Sequence, residues 1–90
     1  MSESILVVED NQALGETLVS YLSEKGFSAT HFLNGEDALL YLEINSSDLI
    51  ICDIMLPGIS GIQLAKRLKG RSKTATSYYF LIGCELFYNQ

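Results

Sequence analysis

"DLIICDIMLPGISG", residues 48–61, runs four apolar residues, Leu49 to Cys52, straight into the carboxylate of Asp53. Ile54, Met55 and Leu56 continue the apolar character, and Pro57-Gly58 and Ser60-Gly61 close it. A short apolar run bounded by turn residues suits a strand buried on both faces, as in a parallel sheet. Asp53 then has two readings. It starts a turn where a strand meets water, as Asp readily does, or the strand holds its carboxylate in position.

Reading outward, "SILVVE" (residues 4–9) is a second continuous apolar run rich in β-branched residues, and it too ends on an acid. "NQALGETLVSYLSEKG" follows as a helix with Leu14, Leu18, Tyr21 and Leu22 on one face. Asn11 is its N-cap and Gly26 its stop. "FSATHF" (27–32) alternates loosely and reads as a shorter strand near an edge. "NGEDALLYLEI" reads as a helix capped by Asn34, with Glu36 and Asp37 in the first turn where the helix dipole favours acids. Its buried face is Ala38, Leu39 and Leu42. An Asn34-Gly35 hairpin is the rival, but the periodicity that follows is helical. "SGIQLAKRLKG" is a helix capped by Ser60, with Ile62, Leu64, Ala65 and Leu68 apolar and Lys66, Arg67 and Lys69 solvated. "RSKTATS" is a polar link, "YYFLIG" a fourth strand and "CELFYNQ" a stub. The order β-α-β-α-β-α-β predicts a doubly wound parallel sheet in a three-layer α/β/α fold, with right-handed crossovers. In such sheets ligands bind at the carboxyl ends of the strands.

Ninety residues bound the chain to one domain, 1–90. No apolar run approaches the ~20 residues of a membrane span, and the acidic N-terminus is not a signal peptide. Cys52 and Cys84 lack metal-ligand spacing and read as small buried hydrophobes of a reducing compartment, so a cytoplasmic protein is expected. Residues 1–53 hold ten acids and one base, whereas residues 54–90 hold one acid and five bases, all within "KRLKGRSK". Those bases read as a solvated helix face and turn, and the acidic first half argues against nucleic-acid binding by this domain.

Glu9 and Asp10 close the first strand and Asp53 closes the third. If the two strands are neighbours, three carboxylates converge at one sheet edge. Without a cation, such a cluster forces at least one of them to hold its proton. A hard divalent ion such as Mg²⁺ removes the conflict, taking carboxylates, a backbone carbonyl and waters. In this scheme an oxygen of Asp53 stays available as a nucleophile towards phosphorus, and the backbone carbonyl of Met55 completes the protein ligands. Any one acid alone would read as an ordinary strand end.

"ILVVEDN" and "DLIICDIMLPGISGIQLAKRLK" together resemble the receiver domain of two-component response regulators, over residues 4–69. The resemblance implies a flavodoxin-like (CheY-like) fold of strand order 2-1-3-4-5. It implies Mg²⁺ held by Asp10 and Asp53 with help from Glu9, and phosphorylation of Asp53 by a sensor histidine kinase in a phosphorelay. His31 lies outside that scheme, as a partly exposed strand residue.

The resemblance also implies a Thr or Ser at the end of the fourth strand and a Lys at the end of a fifth. The first position falls at Gly83, and the sequence ends at Gln90 before the second. The expectation is therefore a receiver truncated after the fourth strand, with a divergent tail at 71–90, whose metal and nucleophile remain and whose switching output is impaired. Residues 78–90 hold five of the nine aromatics and one charge. A fourth strand left as an apolar edge invites self-association. The rival functions are a non-phosphorylated interaction module, or a non-functional gene fragment, docking through that edge, and any DNA-binding role belongs to a longer parent protein. A phosphohydrolase of the aspartate-nucleophile class would want a second acid two residues after Asp53, where Met55 stands. No enzyme is expected.

Overall fold

The structure is a computed structural model that describes residues 3–69 and the backbone of residues 78–82. The polar link at 71–77, the stub, Gly83, Cys84 and so most of the expected tail lie outside the described residues. The elements run β1 (Ser4–Val8), α1 (Gln12–Glu24), β2 (Ser28–Phe32), α2 (Gly35–Ile44), β3 (Leu49–Asp53), α3 (Gly61–Lys69) and β4 (Tyr78–Ile82). The four described strands form one parallel sheet in the order β2-β1-β3-β4, with β2 at an edge as expected. The predicted element order and fold class hold.

Local chemistry sets the helix ends. Asn11 Oδ1 accepts the Leu14 amide at 3.0 Å, and Asn34 Oδ1 accepts the Asp37 amide at 2.8 Å. These side chains satisfy amides that the first turn of a helix leaves without partners. The hairpin alternative at Asn34-Gly35 is thereby excluded. At the other end of α1, Gly26 adopts φ 95°. The amides of Gly26 and Phe27 reach back to the carbonyls of Ser23 and Leu22, each at 3.1 Å. This paired closure is the Schellman arrangement, which glycine permits without steric penalty. Ser60 and Gln63 cap α3 reciprocally: Ser60 Oγ accepts the Gln63 amide at 3.2 Å and Gln63 Oε1 accepts the Ser60 amide at 3.1 Å.

The main core lies between one face of the sheet and the helices α2 and α3. Leu6, Val8, Ile50 and Cys52 supply the sheet side, and Ala38, Leu39, Leu42, Leu64 and Leu68 the helix side. Alternation along β1 turns Ile5 and Val7 to the opposite face, where α1 packs on β1 and β2. Cys52 is buried, as its surroundings in the sequence predicted.

Two helical faces differ from expectation. Tyr21 is 57% exposed, and Lys25 Nζ sits 5.4 Å from the centre of its ring. The inward arc of α1 runs through Leu14, Gly15, Leu18, Val19 and Leu22 instead. At about 100° per residue that arc is centred near Leu22 and Gly15, which rotates Tyr21 off its margin. On α3, Ile62 is 48% exposed because it projects almost opposite Leu64 and Leu68.

Candidate functional site

The register of β1 on β3 pairs Val8 with Cys52. One step further along the sheet stand Glu9 and Asp53, side by side at the carboxyl edge. Parallel neighbours end at the same side of a sheet, so two acid-ended strands in register bring their acids together without any help from the loops. Asp10 follows in the turn into α1. One carboxylate oxygen from each of Glu9, Asp10 and Asp53 lies within 4.8 Å of the other two. Glu9 and Asp53 are only 2% and 3% exposed, and Asp10 is open to solvent.

Main-chain amides orient the two buried acids. Glu9 Oε2 accepts the Asn11 amide at 2.9 Å, and Asp53 Oδ1 accepts the Met55 amide at 3.0 Å. These charge-assisted bonds orient each carboxylate. Two carboxylates in water-poor surroundings at this separation repel by about 3 kcal/mol at an effective dielectric constant near 20. Such an arrangement fits a site built for a cation. Met55 stands two residues after Asp53 in the β3–α3 loop, with its side chain 58% exposed.

The loop after Asp53 is held by contacts that explain its glycines. Gly58 has φ 70° and lies directly beneath the Glu36 carboxylate, so that a Cβ there would strike the acid. Glu36 Oε2 also accepts the Ile59 amide at 3.3 Å, tying the first turn of α2 to the loop. A Cβ on Gly61 would collide with the carbonyl oxygen of Asp53, and the Gly61 amide donates to the Ile54 carbonyl at 3.1 Å. The start of α3 is therefore pressed against the main chain of the acid itself.

This register, acid cluster and loop are accompanied by direct similarity to known proteins. The family "Response regulator receiver domain" matches residues 5–81. The chain belongs to the response regulator receiver family. Among curated receiver relatives, the phosphate regulon transcriptional regulatory protein PhoB of Rhizobium meliloti is 43% identical over 74 residues, covering 82% of this chain and 33% of its own length. The regulatory protein VanRc of Enterococcus gallinarum is 38% identical over 69 residues, covering 77% of this chain and 30% of its own. The chain thus spans about a third of the length of these relatives. Among solved receivers, response regulator TrrA of Thermotoga maritima, determined in complex with Mg²⁺-BeF, is 29% identical with a TM-score of 0.76, covering 97% of this chain and 95% of its own. Among the described residues no helix is long and apolar enough to cross a membrane.

All three acids singled out in the sequence meet in this receiver site. Register places Ile82 of β4 opposite Asp53, and Gly83, the expected hydroxyl position, lies outside the described residues. Sequence reasoning set His31 apart, yet its Nε2 is 2.8 Å from the Glu9 carbonyl oxygen. It also took Glu36 only as a first-turn acid. Neither contact has a local signal, because each joins residues more than twenty positions apart.

Proposed function

We propose that this receiver is a phospho-acceptor module of a two-component phosphorelay, taking a phosphoryl group from a sensor histidine kinase onto Asp53. The single observation that carries the reading is the meeting of Glu9, Asp10 and Asp53 within 4.8 Å at the carboxyl edge of the sheet. An Asp53 carboxylate oxygen would attack phosphorus as the bond from phosphorus to the donor breaks. The product would be an acyl phosphate on Asp53, with the electron pair leaving on the donor.

The donor set supports Mg²⁺. All three side chains offer hard oxygens, and oxygens sharing one Mg²⁺ stand about 3–4 Å apart, close to the spacing here. Glu9, Asp10 and Asp53 would hold the ion, with the main-chain carbonyl of Met55. When bound, it supplies charge neutralisation for the phosphoryl oxygens in transfer. The Thermotoga relative's complex with Mg²⁺-BeF supports the same chemistry at this site. Glu9 and Asp53, each held by a main-chain amide, keep their carboxylates aimed, while Asp10 stays exposed to solvent. Residues 1–90 are taken as one receiver-like domain working in a cytoplasmic pathway.

The test is incubation with Mg²⁺ and acetyl phosphate, followed by intact-mass measurement. The chain should gain one phosphoryl group, and Asp53→Asn should gain none. A gain that survives in D53N would show that the acceptor is another residue. A second reading is pairing of two copies through β4, favoured by its terminal place in the described sheet order. A folded dimer that never accepts phosphate would favour that reading.

A further inference from the structure

His31 lies on β2, and its ring joins two features that the acid cluster alone does not explain. The first is the main-chain carbonyl of Glu9, 2.8 Å from Nε2. A carbonyl oxygen only accepts, so this nitrogen must carry the hydrogen and donate. The second is Gly15, a buried glycine in the first turn of α1. A Cβ at Gly15 would run into Cε1, Nε2 and Cδ2 of the imidazole. Glycine is a poor helix former, and here its missing side chain is the space that the ring occupies.

The carbonyl concerned belongs to the peptide that links Glu9 to Asp10. Fixing that oxygen fixes the plane of the peptide, and so the direction in which Asp10 leaves the end of β1. Glu9 is already tied on the other side of its Cα, where its amide donates to the Phe32 carbonyl at 3.0 Å. We infer that His31, seated on Gly15, is a positioning residue for the Glu9–Asp10 acid pair. The inference rests on the metal-binding reading of that pair and adds to it a strand-β2 group that sets the geometry of the turn. Loss of a partner behind a metal ligand typically costs roughly 10–100-fold in affinity.

The test has two arms on the full chain. The first is ¹⁵N NMR of the imidazole in the unaltered protein at a pH where the ring is neutral. The Nε2–H tautomer is expected, and an Nδ1–H tautomer overturns the inference whether or not the chain binds metal. The second arm titrates Mg²⁺ into G15A, H31A, the double variant and H31Q, with thermal melts confirming that each is folded. G15A and H31A should each weaken Mg²⁺ binding about tenfold. H31Q, which can return an amide N–H to the same carbonyl, should recover most of the loss. Because Gly15 acts only by seating the ring, the double variant should bind no more weakly than H31A alone. Unchanged affinity in H31A, or full additivity in the double variant, overturns the inference. Failure of the unaltered chain to bind Mg²⁺ would count against the functional reading, and the tautomer would then decide this one alone.

Discussion

Gly61→Ala sets two known effects against each other at the site. Gly61 is the first residue of α3, and alanine is the better helix former by about 1 kcal/mol. On propensity alone the substitution should therefore stabilise the protein. The structure reverses that sign. The new methyl would collide with the Asp53 carbonyl oxygen, with the Asp53 carbonyl carbon and Ile54 Cα both 3.1 Å away. These are main-chain atoms of β3 and its loop, and no rotamer change can clear them. Forcing a methyl into such packing costs about 1–3 kcal/mol. Straining the bond from the Gly61 amide to the Ile54 carbonyl costs about 1 kcal/mol more. After the propensity gain is subtracted, the net loss is about 1–3 kcal/mol. For a domain of this size each kcal/mol lowers Tm by roughly 4–8 °C. Urea melts of the two proteins give the measurement, with an unchanged slope required before the midpoints are compared. Because the methyl pushes on Asp53, Mg²⁺ affinity should fall as well. Gly26→Ala is the control, since its positive φ makes it destabilising while no atom lies within 4 Å of its added Cβ. It should lower stability and leave Mg²⁺ affinity unchanged. A G61A midpoint equal to or above that of the unaltered protein would refute the close-approach argument.

Three further outcomes follow from the site and its loop. Glu36→Ala removes the acceptor of the Ile59 amide and should lower stability by about 1–2 kcal/mol in urea melts, whereas Glu36→Gln keeps an acceptor and should lose less; equal losses would show that the charge rather than the bond matters. Mg²⁺ at one hundred times its dissociation constant should stabilise the unaltered protein by about 2.7 kcal/mol in thermal melts, reversibly with chelator. Without Mg²⁺, D53N should instead be the more stable protein, by up to about 3 kcal/mol, because it relieves repulsion from Glu9; D53N destabilised in both conditions would refute the electrostatic account.

The acid cluster is legible in the sequence because it depends on little besides strand ends. Two buried strands each terminate in an acid, and the alternation of strands with helices places parallel strands with their carboxyl ends together. Nothing about loop conformation has to be known for Glu9 and Asp53 to meet. The facing of α1 is different. Periodicity marks an apolar arc, but with Leu14, Leu18, Tyr21, Leu22 and Val19 all apolar it leaves the centre of that arc undetermined. The centre is set by how closely the helix can approach the sheet, and that depends on Gly15 and on the ring of His31. The same holds at the loop after β3, where Gly58 admits the Glu36 carboxylate and Gly61 admits the Asp53 carbonyl. In each case the sequence displays the glycine and hides its partner, which arrives from a distant element at Gly15 and Gly58 and from the end of the preceding strand at Gly61. A glycine outside a turn is thus a record that something fills the place of its side chain. Around this site the three fillers are an imidazole on Glu9, a carboxylate on the loop and the main chain of Asp53 itself. Each ties main chain that flanks Glu9 or Asp53 to another part of the fold.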